Sequence, residues 1–131
     1  MQIDRTRSRP DNVRWLVMPY AFEVFMGINQ TLVDEIIKRI LGVAEARRII
    51  LFGSAAMGKM SKDSDIDLLV LESAPGDTRE ESVRIRRAVR GMGYPFDIFV
   101  MAAERFEESK NVIGGIAYPA NKYGKVIYEA A

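Results

Sequence analysis

The pattern of apolar residues changes along the first half of this chain. Between 29 and 42 they recur every three or four residues, which predicts an amphipathic helix that Thr31 caps and Gly42 ends. Two apolar runs follow, at 47–52 and 65–71, and their aliphatic and β-branched residues are typical of buried strands. The pattern therefore predicts a helix and then two strands, with a turn and a short helix between the strands.

The second half of the chain continues to alternate between helix and strand. Thr78 and Glu81 have the spacing of a capping box, which predicts a helix running to about Met92. Four further elements are predicted from there to the end of the chain: a strand at 96–100, helices at 103–110 and 112–124, and a strand at 125–128.

The first 28 residues do not fit this alternation. Residues 1–12 are polar and basic and predict a poorly ordered arm. Residues 13–28 are apolar, but they are too short and too polar to span a membrane. Their large apolar side chains include Trp15, Phe22 and Phe25. We therefore expect an arm with an apolar extension over 1–28 and one domain over 29–131. The extension either packs on that domain or offers a surface for a partner or a homo-oligomer.

Composition excludes several kinds of chemistry. The chain has 131 residues, which suits one domain with a core. It has no cysteine and no histidine, which excludes disulfides, thiolate metal sites, histidine bases and histidine-based zinc sites. The absence of cysteine fits a cytoplasmic location. The formal net charge is +1, so we expect no nucleic-acid partner.

Candidate chemistry gathers around the segment between the first two strands. Asp65 and Asp67 are two residues apart, so in a strand both side chains project from the same face. Two neighbouring carboxylates stay ionised at low cost only beside a cation, and hard oxygen ligands suit magnesium. Gly53 and Ser54 end the first strand and offer backbone N–H groups and a hydroxyl to an anion. A phosphate site facing a metal site indicates nucleotide chemistry.

A third carboxylate lies in the strand predicted at 96–100. Asp97 stands there among large apolar residues, where an unpaired charge is costly. Taken alone, Asp97 is either a salt-bridged structural residue or part of a site.

The spacing of these residues resembles a known signature. Gly53-Ser54, ten further residues and then Asp-x-Asp is similar to the motif of nucleotidyltransferases of the DNA polymerase β superfamily. The resemblance runs roughly from 33 to 129 and is strongest to the minimal (MNT) members, which act as antitoxins beside HEPN-domain toxins. It implies an α+β, polymerase β palm-like fold, with a small mixed sheet and helices packed mainly on one face.

The resemblance also implies a function and a set of site residues. The function is magnesium-dependent transfer of a nucleoside monophosphate, expected to be AMP, from ATP or another NTP to a hydroxyl of a protein, a HEPN-type toxin. The metal and catalytic residues, holding two magnesium ions, would be Asp65, Asp67 and Asp97. The nucleotide-binding residues would be Gly53, Ser54, Lys59, Lys62 and Ser64.

One departure keeps other functions open. Many members of the family carry arginines at the positions of Ala55 and Met57, where this chain offers only Lys59 and Lys62 nearby. Lysine lacks the planar fork with which arginine binds phosphate. The alternatives are a non-catalytic antitoxin that acts by contact and, less favoured, an enzyme that modifies a small molecule as aminoglycoside nucleotidyltransferases do. A polymerase fragment fits poorly with the charge.

The helix predicted from 78 carries a run of arginines. Its basic residues are Arg79, Arg84, Arg86, Arg87 and Arg90. We interpret them as a solvated face, with an acidic or phosphate-bearing partner surface as the alternative.

Overall fold

The computed structural model describes residues 29–59 and 64–131. The predictions for 1–28 and for Lys62 lie outside the described residues. The elements in chain order are α1 Gln30–Leu41, β1 Ala46–Phe52, β2 Ile66–Glu72, α2 Thr78–Ala88, β3 Phe96–Ala102, α3 Ala103–Ser109, α4 Ala117–Tyr123 and β4 Lys125–Glu129. No helix in these two segments is long and apolar enough to cross a bilayer.

The four strands form one mixed sheet in the order β3-β2-β1-β4. β1 pairs antiparallel with β2 and with β4, while β2 and β3 run parallel. The crossover between the parallel strands is α2, as parallel neighbours require. The predicted α+β class and mixed sheet are confirmed.

Alternation along the strands builds a core on each side of the sheet. The larger core contains Ile49, Leu51, Ile66 and Leu68 and is covered by α1 and α2. Ile50, Phe52, Leu69 and Leu71 point to the opposite face, where α3 and α4 contribute Phe106, Ala117 and Ala120. The expectation of helices mainly on one face therefore holds for the two long helices. The two short helices do not follow this expectation, because they cover the other face.

Helix starts differ from the predicted caps. Asn29 caps α1, because its side chain accepts a hydrogen bond from the Leu32 N–H at 2.8 Å, so the prediction of Thr31 is wrong. Asp77, not Thr78, caps α2 by accepting from the N–H groups of Arg79 and Glu80. Asn29 lies two residues before its predicted cap and Asp77 lies one before, and both have the extended backbone that a cap needs.

The last predicted helix is shorter than expected. It covers 117–123 instead of 112–124, because Gly114 and Gly115 adopt φ values of 118° and 70°. Residues in that conformation cannot continue a right-handed helix.

Candidate metal and nucleotide site

Three carboxylates converge at one end of the sheet. Asp65, Asp67 and Asp97 each offer an oxygen atom, and these atoms lie within 4.8 Å of one another. Asp65 is exposed, and Asp67 and Asp97 are half-buried. Within the described residues, this is the group of three acidic side chains that could share a metal ion.

The parallel pairing of β2 and β3 brings this group together. Asp67 and Asp97 are direct partners in the ladder, so their side chains leave the sheet side by side on one face. A hydrogen bond of 2.9 Å from the Ile66 N–H to the Pro95 carbonyl fixes the start of the two strands. Asp65 lies just before β2, with the same side-chain parity as Asp67.

Phe52 also lies at this end of the sheet, next to the carboxylates, which the sequence did not predict. Phe52 is the antiparallel partner of Asp67, so it lies beside that carboxylate on the side away from Asp97. Its ring is buried and lies 5.8 Å from the ring of Phe99, centroid to centroid. An aromatic residue at the end of a strand is an ordinary core residue in sequence, so only the register reveals this contact.

The pKa of Asp67 reflects these surroundings. Burial raises it above its ordinary value, and the negative charges of Asp97 and Asp65 raise it further. Without a bound cation, the ionised form of Asp67 is therefore disfavoured. A divalent cation among the three oxygens would remove this penalty, so the donor set fits a hard metal ion such as magnesium.

Gly53 approaches Asp67 more closely than a side chain would allow. A Cβ atom added at Gly53 would lie 2.1 Å from Oδ2 of Asp67, and Gly53 has a φ of 75°. Both the contact and the backbone conformation require glycine. The start of the turn is therefore built against the carboxylate.

The segment after β1 is a series of hydrogen-bonded turns over 53–58, so the predicted short helix is wrong for these residues. The Lys59 N–H donates to the Ser54 carbonyl at 2.9 Å, and the Met57 and Gly58 N–H groups donate within the turn. In the described part of the chain, no backbone hydrogen bond is donated by Ser54, Ala55 or Ala56. Of these three residues, the half-buried Ser54 has an N–H group that an anion could reach.

Side chains of this turn divide between core and solvent. Ala55 is 0% exposed and Ala56 is 4% exposed, and both belong to the larger core. Met57 is 47% exposed, and Lys59 is also exposed. Ser54 and Ser64 are half-buried at the two ends of the loop. The turn thus leaves Ser54 and Lys59 accessible to a ligand, whereas Ala55 and Ala56 are closed to solvent, and the position of Ala55 has no room for a larger side chain.

The chain belongs to the nucleotidyltransferase domain family. The fold and the carboxylate group fit this class, and the family model described as "Nucleotidyltransferase domain" matches residues 32–118, which is more than half of the chain. No curated protein matches the chain significantly.

Solved structures with the same fold include toxin–antitoxin complexes. A toxin–antitoxin complex with AMP-PNP has a TM-score of 0.59 and 20% identity, with 75% of this chain and 73% of that chain covered. An MNT antitoxin in complex with a tri-AMPylated HEPN toxin of Shewanella oneidensis has a TM-score of 0.52 and 18% identity, over 77% and 72% of the two chains.

A third structure extends the similarity along more of the chain. This protein of Sulfolobus solfataricus, described as a nucleotidyltransferase, has a TM-score of 0.52 and 16% identity, over 92% of this chain and 89% of that chain. At these identities the comparisons establish a shared fold.

Proposed function

We propose that this protein is a magnesium-dependent nucleotidyltransferase that moves AMP from ATP to a hydroxyl of a protein, and that the acceptor is a HEPN-type toxin. The observation that carries the proposal is the convergence of Asp65, Asp67 and Asp97 within 4.8 Å, beside a turn that requires Gly53. Such an arrangement in a nucleotidyltransferase domain suits transfer at a phosphate.

The nucleotide would lie between the turn and the carboxylates. Gly53 and Ser54 are the candidates to hold its terminal phosphates, with Lys59 adding a positive charge. Ser64 and Lys62 belong to the same candidate set. One of the similar solved complexes contains AMP-PNP, which supports a nucleoside triphosphate as the substrate.

Asp65, Asp67 and Asp97 would hold the metal. Bound magnesium would neutralise charge that develops on the transferred and departing phosphates. Burial and two like charges disfavour the ionised form of Asp67. Bound metal would therefore favour its ionised form, which is the form that can act as a ligand.

In the transfer step, the acceptor oxygen forms a bond to the α-phosphorus of ATP, the bond from that phosphorus to the bridging oxygen breaks, and pyrophosphate leaves. The acceptor hydroxyl loses its proton, and Asp97 is the candidate to receive it. The chain offers no histidine for this task. Most of the rate enhancement would come from position and charge.

A protein acceptor is supported by one of the similar structures, in which the HEPN toxin beside an MNT antitoxin is AMPylated. We infer that this chain modifies its own HEPN-type partner in the same manner and thereby acts as an antitoxin.

Transfer of radioactive label tests this function. The protein would be incubated with magnesium and each α-labelled NTP in turn, in a lysate of its source cells, with Asp67→Asn as the control. We expect one labelled protein band, strongest with ATP and absent with the variant. Label on a small molecule would instead indicate metabolite modification, and no labelled product would contradict the proposal.

A second candidate function is neutralisation by contact alone. The observation that favours it is the turn, where Ala55 is fully buried and Met57 offers no charge, so phosphate binding lacks side-chain support from both positions. Asp97→Asn separates the two functions. If the variant binds its partner but no longer neutralises it, catalysis is the means, whereas full neutralisation by the variant favours contact.

A further inference from the structure

Helix α2 presents a row of arginines on the far side of the sheet from the carboxylates. Arg79, Val83, Arg86 and Arg87 follow the i, i+4, i+7, i+8 spacing of one helix face, and all four are exposed. Ile85, on the opposite side of the helix, is fully buried in the larger core. We call Arg79, Val83, Arg86 and Arg87 the arginine face.

These arginines have no ion pair in the described residues. Arg84, which flanks the face, is paired with Glu81, but no salt bridge involves Arg79, Arg86 or Arg87. The segment 78–90 contains five arginines and two glutamates, a formal charge of +3, whereas the whole chain carries +1. Positive charge is thus concentrated on one surface.

Helix stability explains the placement of these arginines only in part. A solvated helix gains stability from acidic and basic residues three or four positions apart. None of Arg79, Arg86 and Arg87 has an acidic residue at such a position. Arg79 also lies in the first turn, where the helix dipole disfavours a cation. Arg86 and Arg87 are in the last turn, where the dipole favours them, so stability alone accounts for only part of the face.

The backbone that carries the face is held at both ends. Asp77 caps the N-terminus, and Arg39 of α1 donates from Nη1 to the carbonyl groups of Ala88 and Arg90, at 3.4 and 2.9 Å. The arginines therefore project from a fixed helix, which limits the ordering cost of binding.

We propose that the arginine face is a docking surface for a protein partner with an acidic surface. A groove of about 660 Å³ runs beside it, and its lining includes Val83, Arg79 and Arg87 together with Asp77 and Glu80. An apolar centre at Val83, 36% exposed, with arginines around it is typical of protein interfaces. A nucleic acid fits less well, because the helix has no aromatic residue for base stacking, whereas the exposed Val83 offers an apolar contact to a protein.

Two labelled probes test the proposal by fluorescence anisotropy. One is an acidic peptide of glutamate and leucine, and the other is an oligouridylate of the same net charge. The test variant is Arg86→Glu with Arg87→Glu. The control is Lys38→Glu with Arg105→Glu, which changes net charge equally at exposed positions elsewhere. Arg86→Gln with Arg87→Gln replaces the test variant if the reversed charges disturb the helix.

We expect the wild type to bind the peptide more tightly than the RNA at about 50 mM salt. The test variant should lose at least roughly tenfold in peptide affinity, and the control much less. Val83→Ser should weaken peptide binding and leave RNA binding unchanged. Equal losses in test and control variants, tighter binding of the RNA, or no binding of the peptide would each overturn the proposal.

Discussion

Among the residues of the candidate site, Gly53 leaves no room for a side chain. Gly53→Ala would place a methyl group 2.1 Å from the present position of Asp67 Oδ2, so the carboxylate must move. We expect transfer activity to fall at least roughly a hundredfold, because the metal ligands lose their arrangement. Stability should fall by about 1–2 kcal/mol, the usual cost of a left-handed conformation for alanine.

Gly76→Ala is the matched control for this prediction. Gly76 has a similar φ of 70°, but a Cβ atom there would meet nothing within 4 Å. Urea unfolding and label transfer should show a similar loss of stability in both variants and a loss of activity in Gly53→Ala alone. Equal activity of the two variants would show that the contact with Asp67 does not matter.

Asp67 should support activity at a cost in stability. Because its folded pKa is raised above the ordinary value, its contribution to stability is present at low pH and declines as the pH rises through the folded pKa. Without metal, Asp67→Asn should therefore be more resistant to urea than the wild type at neutral pH, while its transfer activity falls at least roughly a hundredfold. A metal-free variant that is less stable than the wild type would contradict this account.

At the end of β2 remote from the carboxylate group, strand and helix are joined by two acidic residues. Glu72 on β2 and Glu81 on α2 are both buried, and their carboxyl groups are neighbours. Burial and, after it, the interaction with Glu81 raise the pKa of Glu72 to about 7. The interactions with Glu72 and Arg84 hold the pKa of Glu81 below its ordinary value, despite the opposing effect of burial. Between these two pKa values, the proton of the pair therefore lies on Glu72.

This pair predicts a stability that falls with rising pH. Glu72 has a raised folded pKa, so its contribution is complete below about 4.5 and is lost as the pH rises through about 7. Between pH 6 and 8.5 we expect a loss on the order of 1–2 kcal/mol in the free energy of unfolding. Urea titrations at a series of pH values would measure this loss. Glu72→Gln should flatten this dependence, and an unchanged slope in that variant would rule out Glu72 as its source.

The strands were easier to predict from sequence than the helix ends or the contacts between elements. Continuous apolar runs identified β1, β2 and β3 to within two residues, because a buried strand leaves little choice of residue type. Asn29 and Asp77 cap their helices one or two residues before the predicted sites, since several neighbouring residues could accept the same hydrogen bonds. The buried pair was missed because Glu81 has capping-box spacing.

The candidate site was only partly predictable. The spacing of Asp65 and Asp67 indicates a common face, which the structure has. The proximity of Asp97 depends on β2 and β3 being parallel neighbours, and strand order has no local signature in the chain. The resemblance supplied that link before the structure did. The burial of Ala55 was not foreseeable, because a small residue suits both a loop and a core.

For the protein as a whole, metal binding should be linked to folding. The unfolded chain does not hold three carboxylates within 4.8 Å, so magnesium would bind the folded state selectively and stabilise it. The melting temperature should rise with magnesium concentration and fall again with EDTA. Asp67→Asn should lose most of this response. An equal response in wild type and variant would place the bound ion elsewhere.

Intact-mass spectrometry of the acceptor tests the central claim most directly. The protein would be incubated with its HEPN-type partner, ATP and magnesium, in parallel with Asp97→Asn. We predict that the partner gains the mass of one or more AMP groups with the wild type and none with the variant. A partner that is neutralised while its mass stays unchanged would contradict the account and leave neutralisation by contact in its place.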